Sequence, residues 1–143
     1  MYSINVAKDF SEYPGLRHYS ISDNSGEDFY HQILNEKFHN AFINEKTLVI
    51  NLDATSGFAP SFLDETFGNL IFDFGLENVK KHIEIISTEE TYWNEMIFND
   101  TFIVWEKRRI EKQVPKVTRK HKPWYRIINN EIFKKQWEEP ATV

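Results

Sequence analysis

The chain has 143 residues, 41% of them hydrophobic and 15% aromatic, with a formal net charge of −5. That length suits one domain able to bury a core without covalent staples. The absence of cysteine excludes a disulfide framework, a thiolate nucleophile and a Cys-ligated zinc site.

The charge is unevenly spread. Residues 1–106 hold six Lys and Arg against eighteen Asp and Glu, whereas residues 107–126 hold nine against Glu111 alone. This reads as an acidic α/β domain over 1–106 and a basic, aromatic C-terminal extension over 107–143. No apolar run nears the ~18 residues that a membrane helix requires. Met1 to Asn5 lack the charged and apolar regions of a signal peptide, so the expectation is a cytoplasmic protein with no membrane partner.

Residues 3–8 alternate apolar and polar, the period of a strand, and Pro14 and Gly15 mark a turn before a second strand over 16–21. Together they suggest an antiparallel hairpin. Ser25 then caps a helix, with Asp28 at the capping-box position and Phe29, Ile33, Leu34, Phe38, Ala41 and Phe42 at helical spacing, up to about Asn44. Residues 47–52 are β-branched and almost wholly apolar, as a strand covered on both faces should be.

A second helix starts at Pro60 or Ser61, buries Leu63, Phe67, Leu70, Ile71 and Phe74, and stops at Gly75. A strand over 82–86 follows. Ser87 or Thr88 caps a third helix that runs through Trp93 and Trp105, with a break near Asn99 and Asp100. Beyond Arg109, Pro115 and Pro123 interrupt the pattern, and residues 127–137 suggest a short amphipathic helix. The ββαβαβα order implies a mixed sheet, parallel in the middle, with helices packed on it.

Ser61 is read as an ordinary helix cap bonding the N–H of Asp64; a phosphate there would meet a helix N-terminus. Thr55 and Ser56 lie in the same loop. Arg17, Glu27, Asp53, Asp64 and Glu65 are assigned to one polar cluster at the loop end of the sheet, Arg17 pairing with Glu27 or Asp53. Such carboxylates suit Mg²⁺, but acids at first helical turns are expected on electrostatic grounds alone. The histidines lack metal spacing, and no nucleophile elbow or phosphate loop occurs. No catalytic residue, metal or cofactor is therefore expected. Arg108, Arg109, Arg119, Lys120, Trp124 and Arg126 mix cations with aromatic rings, a combination that suits phosphate contact and base stacking.

Several spaced motifs then coincide: Asp9-Phe10, Pro14-Gly15-Leu16-Arg17, Ser25-Gly26-Glu27-x-Phe29 and Ser61-Phe62-Leu63-Asp64-Glu65-x-Phe67-Gly68. Over about residues 4–105 they resemble a bacterial family, the STAS-like domain of unknown function. The resemblance implies a distant relation to anti-sigma-factor antagonists, small α/β proteins that bind a GHKL-type kinase and are phosphorylated at the start of their second helix. Ser61 falls at that position, but the Asp-Ser-Ser-Gly motif of those proteins is absent.

The reading is thus a STAS-like mixed sheet of about four strands with three helices and a basic extension. It acts as a non-catalytic, regulatory protein-interaction domain whose partner is a GHKL-type ATPase or kinase, with Ser61, Thr55 and Ser56 as partner-binding or phospho-acceptor residues. One alternative is a nucleic-acid regulator using 107–126. The other is a small hydrolase or nucleotide-binding protein using Asp53, Ser61, Asp64 and Glu65. The oligomeric state is left open.

Overall fold

In the computed structural model, which describes residues 2–138, three short strands lie side by side in sequence order. They are β1 (Ser3–Asn5), β2 (Leu48–Asn51) and β3 (Ile83–Ile86), all parallel, with Ile4 opposite Ile50 and Ile50 opposite Ile85. The expected antiparallel hairpin at the N-terminus is not formed. Val6–Asp9 turns into a one-turn helix, α1, capped by the Asn5 side chain, and residues 16–21 are irregular. The strand period of 3–8 was real only as far as Asn5, where the capping amide redirects the chain. The sheet thus has three strands instead of four.

Parallel neighbours need crossovers, and helices supply them. The first, α2, spans 26–43 as Gly26–Phe29, a π-helical stretch Tyr30–Leu34 and Asn35–Ile43. Ser25 caps it, accepting from Asp28 N at 3.1 Å. The second crossover holds α3 (Pro60–Phe74) and α4 (Leu76–His82), joined at Gly75, whose φ of 87° suits glycine. Helix α4 takes in His82, the first residue of the expected strand over 82–86, so β3 begins one residue later. After β3, α5 spans 92–110 as Tyr92–Met96, the π-helical stretch Ile97–Thr101 and Phe102–Ile110. Its expected break at Asn99 and Asp100 is a wider turn, not an interruption. Its expected Ser87 or Thr88 cap serves the preceding turn, with Ser87 Oγ donating to Glu90 O at 2.7 Å.

Helix α3 packs against both α2 and α5, and α2 also meets β2. Ile4, Leu48, Ile50, Ile83 and Ile85 face them and are buried, while Ser3 and Glu84 of the opposite face are exposed and Val49 is half-buried. Strand β2 is therefore covered on one face, not both. The core between the helices is aromatic: Phe29 stacks on Phe62 at 6.0 Å and Phe38 meets Phe74 at 4.8 Å. Gly68 explains how closely α5 approaches α3. A Cβ there would lie 2.1 Å from the Trp105 ring, a distance no side chain tolerates.

Residues 127–137 form no helix. They belong to a hairpin of β4 (Trp124–Ile128) and β5 (Glu131–Lys135), antiparallel, with Arg126 opposite Phe133. Asn129 and Asn130 adopt φ of 52° and 65°, the two left-handed residues that a tight primed turn requires. The hairpin and the strap before it fold back onto α2 and α3. The boundary drawn at 106/107 accordingly falls inside α5, and residues 139–143 of the extension lie outside the described residues.

Candidate functional site

The carboxyl ends of β2 and β3 carry the loops where parallel α/β sheets commonly place their ligands. Asp53 ties them together. Its carboxylate accepts from Thr88 N at 2.9 Å, Thr88 Oγ1 at 2.6 Å and Glu89 N at 3.0 Å, and Ala54 N returns a bond to Glu89 Oε1 at 2.9 Å. The Thr88 hydroxyl, then the backbone of Glu89, hold the Asp53 carboxyl below its usual range. Asp53 is thus a turn residue.

From that anchor the chain runs outward. Ser56 N donates to Glu12 O at 2.8 Å, Gly57 N donates to Thr55 Oγ1 at 3.2 Å, and Phe58 returns to the core against Phe62 at 5.5 Å. Ser56 and Pro60 are exposed; Thr55 and Ser61 are half-buried. Ser61 is not the cap of α3. That position is taken by Ala59, without a side-chain bond, and Pro60 is the first helical residue. Proline needs no partner for a missing N–H, so the helix starts two residues earlier than a serine cap at residue 61 would place it.

One helical turn further on, Arg17 Nη1 donates to Asp64 Oδ2 at 2.7 Å and to Glu65 Oε1 at 3.1 Å. Trp105 Nε1 donates to Asp64 Oδ1 at 3.2 Å and Asn69 Nδ2 to Glu65 Oε2 at 2.8 Å. The polar cluster expected at the loop end therefore separates into three. Arg17, Asp64 and Glu65 stay together as a structural ion pair. Asp53 locks two loops, and Glu27 lies elsewhere, bonded to other partners.

Glu27 sits under the strap that follows α5. It accepts from Tyr19 N at 3.1 Å, Thr118 N at 3.0 Å and Thr118 Oγ1 at 2.5 Å, and it pairs with His121 Nε2 at 2.6 Å. Burial works against its charge, but the bonds from His121 and Thr118 outweigh it and hold the carboxyl at about 2. His31 stacks on His121 at 4.3 Å, and burial, then that neighbour, push it down to about 3. Beside them Arg119 pairs with Asp28 at 3.0 Å and Arg126 with Asp73 at 2.5 Å, Asp73 also accepting from the Tyr30 hydroxyl. Asn35 holds the Tyr125 backbone by both its N–H and its carbonyl.

These pairings bear on the nucleic-acid residues. Arg119 and Arg126 are held by the domain's own acids, Arg109 pairs with Glu106 at 2.6 Å, and Arg108 lies over Trp105 at 4.6 Å. Trp124 is only 6% exposed and packs edge-on against His31, so its face is not open to a base. Lys120 alone of the six is fully on the surface. No group of three or more His, Asp or Glu among the described residues could hold a metal ion, and no helix is long and apolar enough to cross a membrane.

Residues 25–93 match the family model described as a STAS-like domain of unknown function. Over that stretch the sequence is similar to this family. The match opens at the Ser25 cap of α2 and closes in the first turn of α5, so the matched stretch takes in β2, α3, α4 and β3 but neither β1 nor the C-terminal hairpin. Comparison with curated proteins and with solved structures gives no match. Five surface cavities of about 250 to 620 Å³ are lined by other parts of the molecule, none of them by residues 53–61.

Proposed function

We propose that this chain is a non-catalytic regulatory domain that binds a partner protein through the 54–61 loop and the start of α3. The observation that carries the reading is the shape of that end of the sheet. It is a partly exposed loop, fixed at its base by Asp53, that lines none of the five cavities found among the described residues; such a surface suits a protein partner better than a small substrate. The dispersal of Asp53, Ser61, Asp64 and Glu65 into separate networks argues in the same direction, because hydrolysis would need them to converge. The partner class comes from the resemblance to anti-sigma-factor antagonists: a GHKL-type ATPase or kinase in the cytoplasm. Within the loop, Ser56 is the exposed hydroxyl; Thr55 and Ser61 are less open, so a phosphorylation switch would act first at Ser56.

The test is calorimetric titration of the chain with purified GHKL-type ATPases of its own organism. Binding should be weakened at least tenfold by Ser56→Arg, about 1.4 kcal/mol, with the melting temperature unchanged. Binding that survives this change, or no binding to any such ATPase, would overturn the proposed surface or the partner class respectively. Mass spectrometry after incubation with kinase and ATP tests the switch separately: phosphate on Ser56, Thr55 or Ser61 supports it, and none removes it.

A further inference from the structure

A cavity of about 620 Å³ opens between the C-terminal hairpin, α2, α3 and the strap at residues 114–117. The hairpin register decides which side chains face it. Trp124 lies directly opposite Lys135, and Arg126 two residues along the same face. Arg126, Lys134 and Lys135 all line the cavity, and Glu138 is the one acid among its lining residues. Elsewhere Arg119, Lys122 and Arg109 are answered by Asp28, Glu36 and Glu106. Lys134 and Lys135 have no ion-pair partner among the described residues; Lys134 only lies 5.3 Å from the Tyr125 ring centre.

Arg126 is oriented in advance. Asp73 holds its Nε, and its guanidinium lies over the Phe72 ring at 4.8 Å. That arrangement leaves the two terminal amino groups without a hydrogen bond among the described residues. Two buried rings of the lining, Trp124 and His31, each hold a ring nitrogen with no hydrogen-bond partner, at 6% and 3% residue exposure. An unpartnered buried indole N–H is costly, and an acceptor brought into the cavity would offset that.

We propose that this cavity binds a small phosphate-bearing ligand, its phosphate received by the Arg126 fork and Lys135. Phosphate fits better than a carboxylate because it offers three oxygens and nearly two charges to a guanidinium and an ammonium group. The cavity is distinct from the 54–61 surface, and the inference stands whether or not that surface binds a protein.

The test follows the Trp124 indole proton by ¹H–¹⁵N NMR, assigned with Trp124→Phe, while the intact chain is titrated at constant ionic strength. The probes are inorganic phosphate and AMP. A saturable downfield shift of that proton is expected with at least one of them, with apparent affinity weakened about tenfold in Lys135→Glu. Equal response to both would mean that the phosphate group alone is read; tighter AMP binding would mean that the nucleoside adds contacts, Trp137 lying in the same lining. No saturation with either probe, or a response unchanged in Lys135→Glu, overturns the site. Arg126→Lys keeps a cation beside Asp73 and loses the fork, so a folded Arg126→Lys variant that binds as tightly as the parent also overturns it.

Discussion

His31 is a neutral ring in the middle of a charged cluster, with Glu27, His121 and Arg126 all close enough to act on it. In the unfolded chain it takes a proton near 6.5; folded, it resists down to about 3. Its folded value is depressed, so stability is full above about pH 6.5 and lost as the pH falls toward 3. Glu27 adds a second loss at lower pH: its carboxyl is held at about 2 against an ordinary 4.5, so its contribution disappears as the pH falls from about 4.5 to 2. The urea midpoint should therefore drop between pH 7 and pH 5, the unfolding free energy falling by up to about 1.4 kcal/mol per pH unit from His31 alone. His31→Gln should flatten that window and leave the loss below pH 4.5 in place. A parent midpoint that does not change from pH 7 to 5 would show that His31 is open to solvent protons.

Among the elements, α3 is the one that the others fit around. It is buried over nearly its whole length from Phe62 to Phe74, and it meets α5 at Gly68. Gly68→Ala must push the Trp105 ring away, and overpacking of this kind costs about 1–3 kcal/mol. The loss should appear as a lower denaturation midpoint and as a change in Trp105 fluorescence, since the ring would move from its bond to Asp64. A Gly68→Ala variant as stable as the parent would mean that the two helices are not locked at this point.

The elements that could be read from the chain were those with a strong local pattern. The Ser25 cap, the run 47–52 and the Leu63–Phe74 stripe each carried their own signal, and each element is present. The C-terminal hairpin was misread although its signal was there. Asn129-Asn130 between Tyr125-Arg126-Ile127-Ile128 and Ile132-Phe133 is a turn flanked by strand formers, and apolar residues at mixed spacing there had suggested a helix. The polar centre was harder. Glu27, Asp28 and His31 look like the solvent side of a helix, yet residues 25–31 are buried without a gap. What covers them lies about ninety residues away in sequence, so no local pattern could reveal it. Arg17 was recognised as an ion-pairing residue, but its partners proved to be Asp64 and Glu65.

At the scale of the whole molecule, the basic segment works inward. Its arginines pair with Asp28 and Asp73 and His121 bonds Glu27, all buried acids of α2 and α3. Removing one partner of a buried pair typically costs about 3–5 kcal/mol. A chain ending at residue 113 would lose all three at once and expose the aromatic face of α2. It should lack a cooperative thermal transition in near-ultraviolet circular dichroism, and Glu27→Gln with Asp73→Asn should restore part of it. A truncated chain that melts within a few degrees of the full one would show that the strap is an appendage.

The strap also sets a waiting time during synthesis. Asn35 is bonded to Tyr125, and Glu27 to Thr118 and His121, more than eighty residues later. Translation at ~5–20 residues per second leaves ~5–20 s between the emergence of α2 and the arrival of its partners. Through that interval the nascent core holds acids that cannot be buried without cost, so its helices stay hydrated and its aromatic surface stays within reach of chaperones. The domain closes only after the strap and the hairpin have emerged, and a ribosome that stops before them releases a chain marked by that unfinished core.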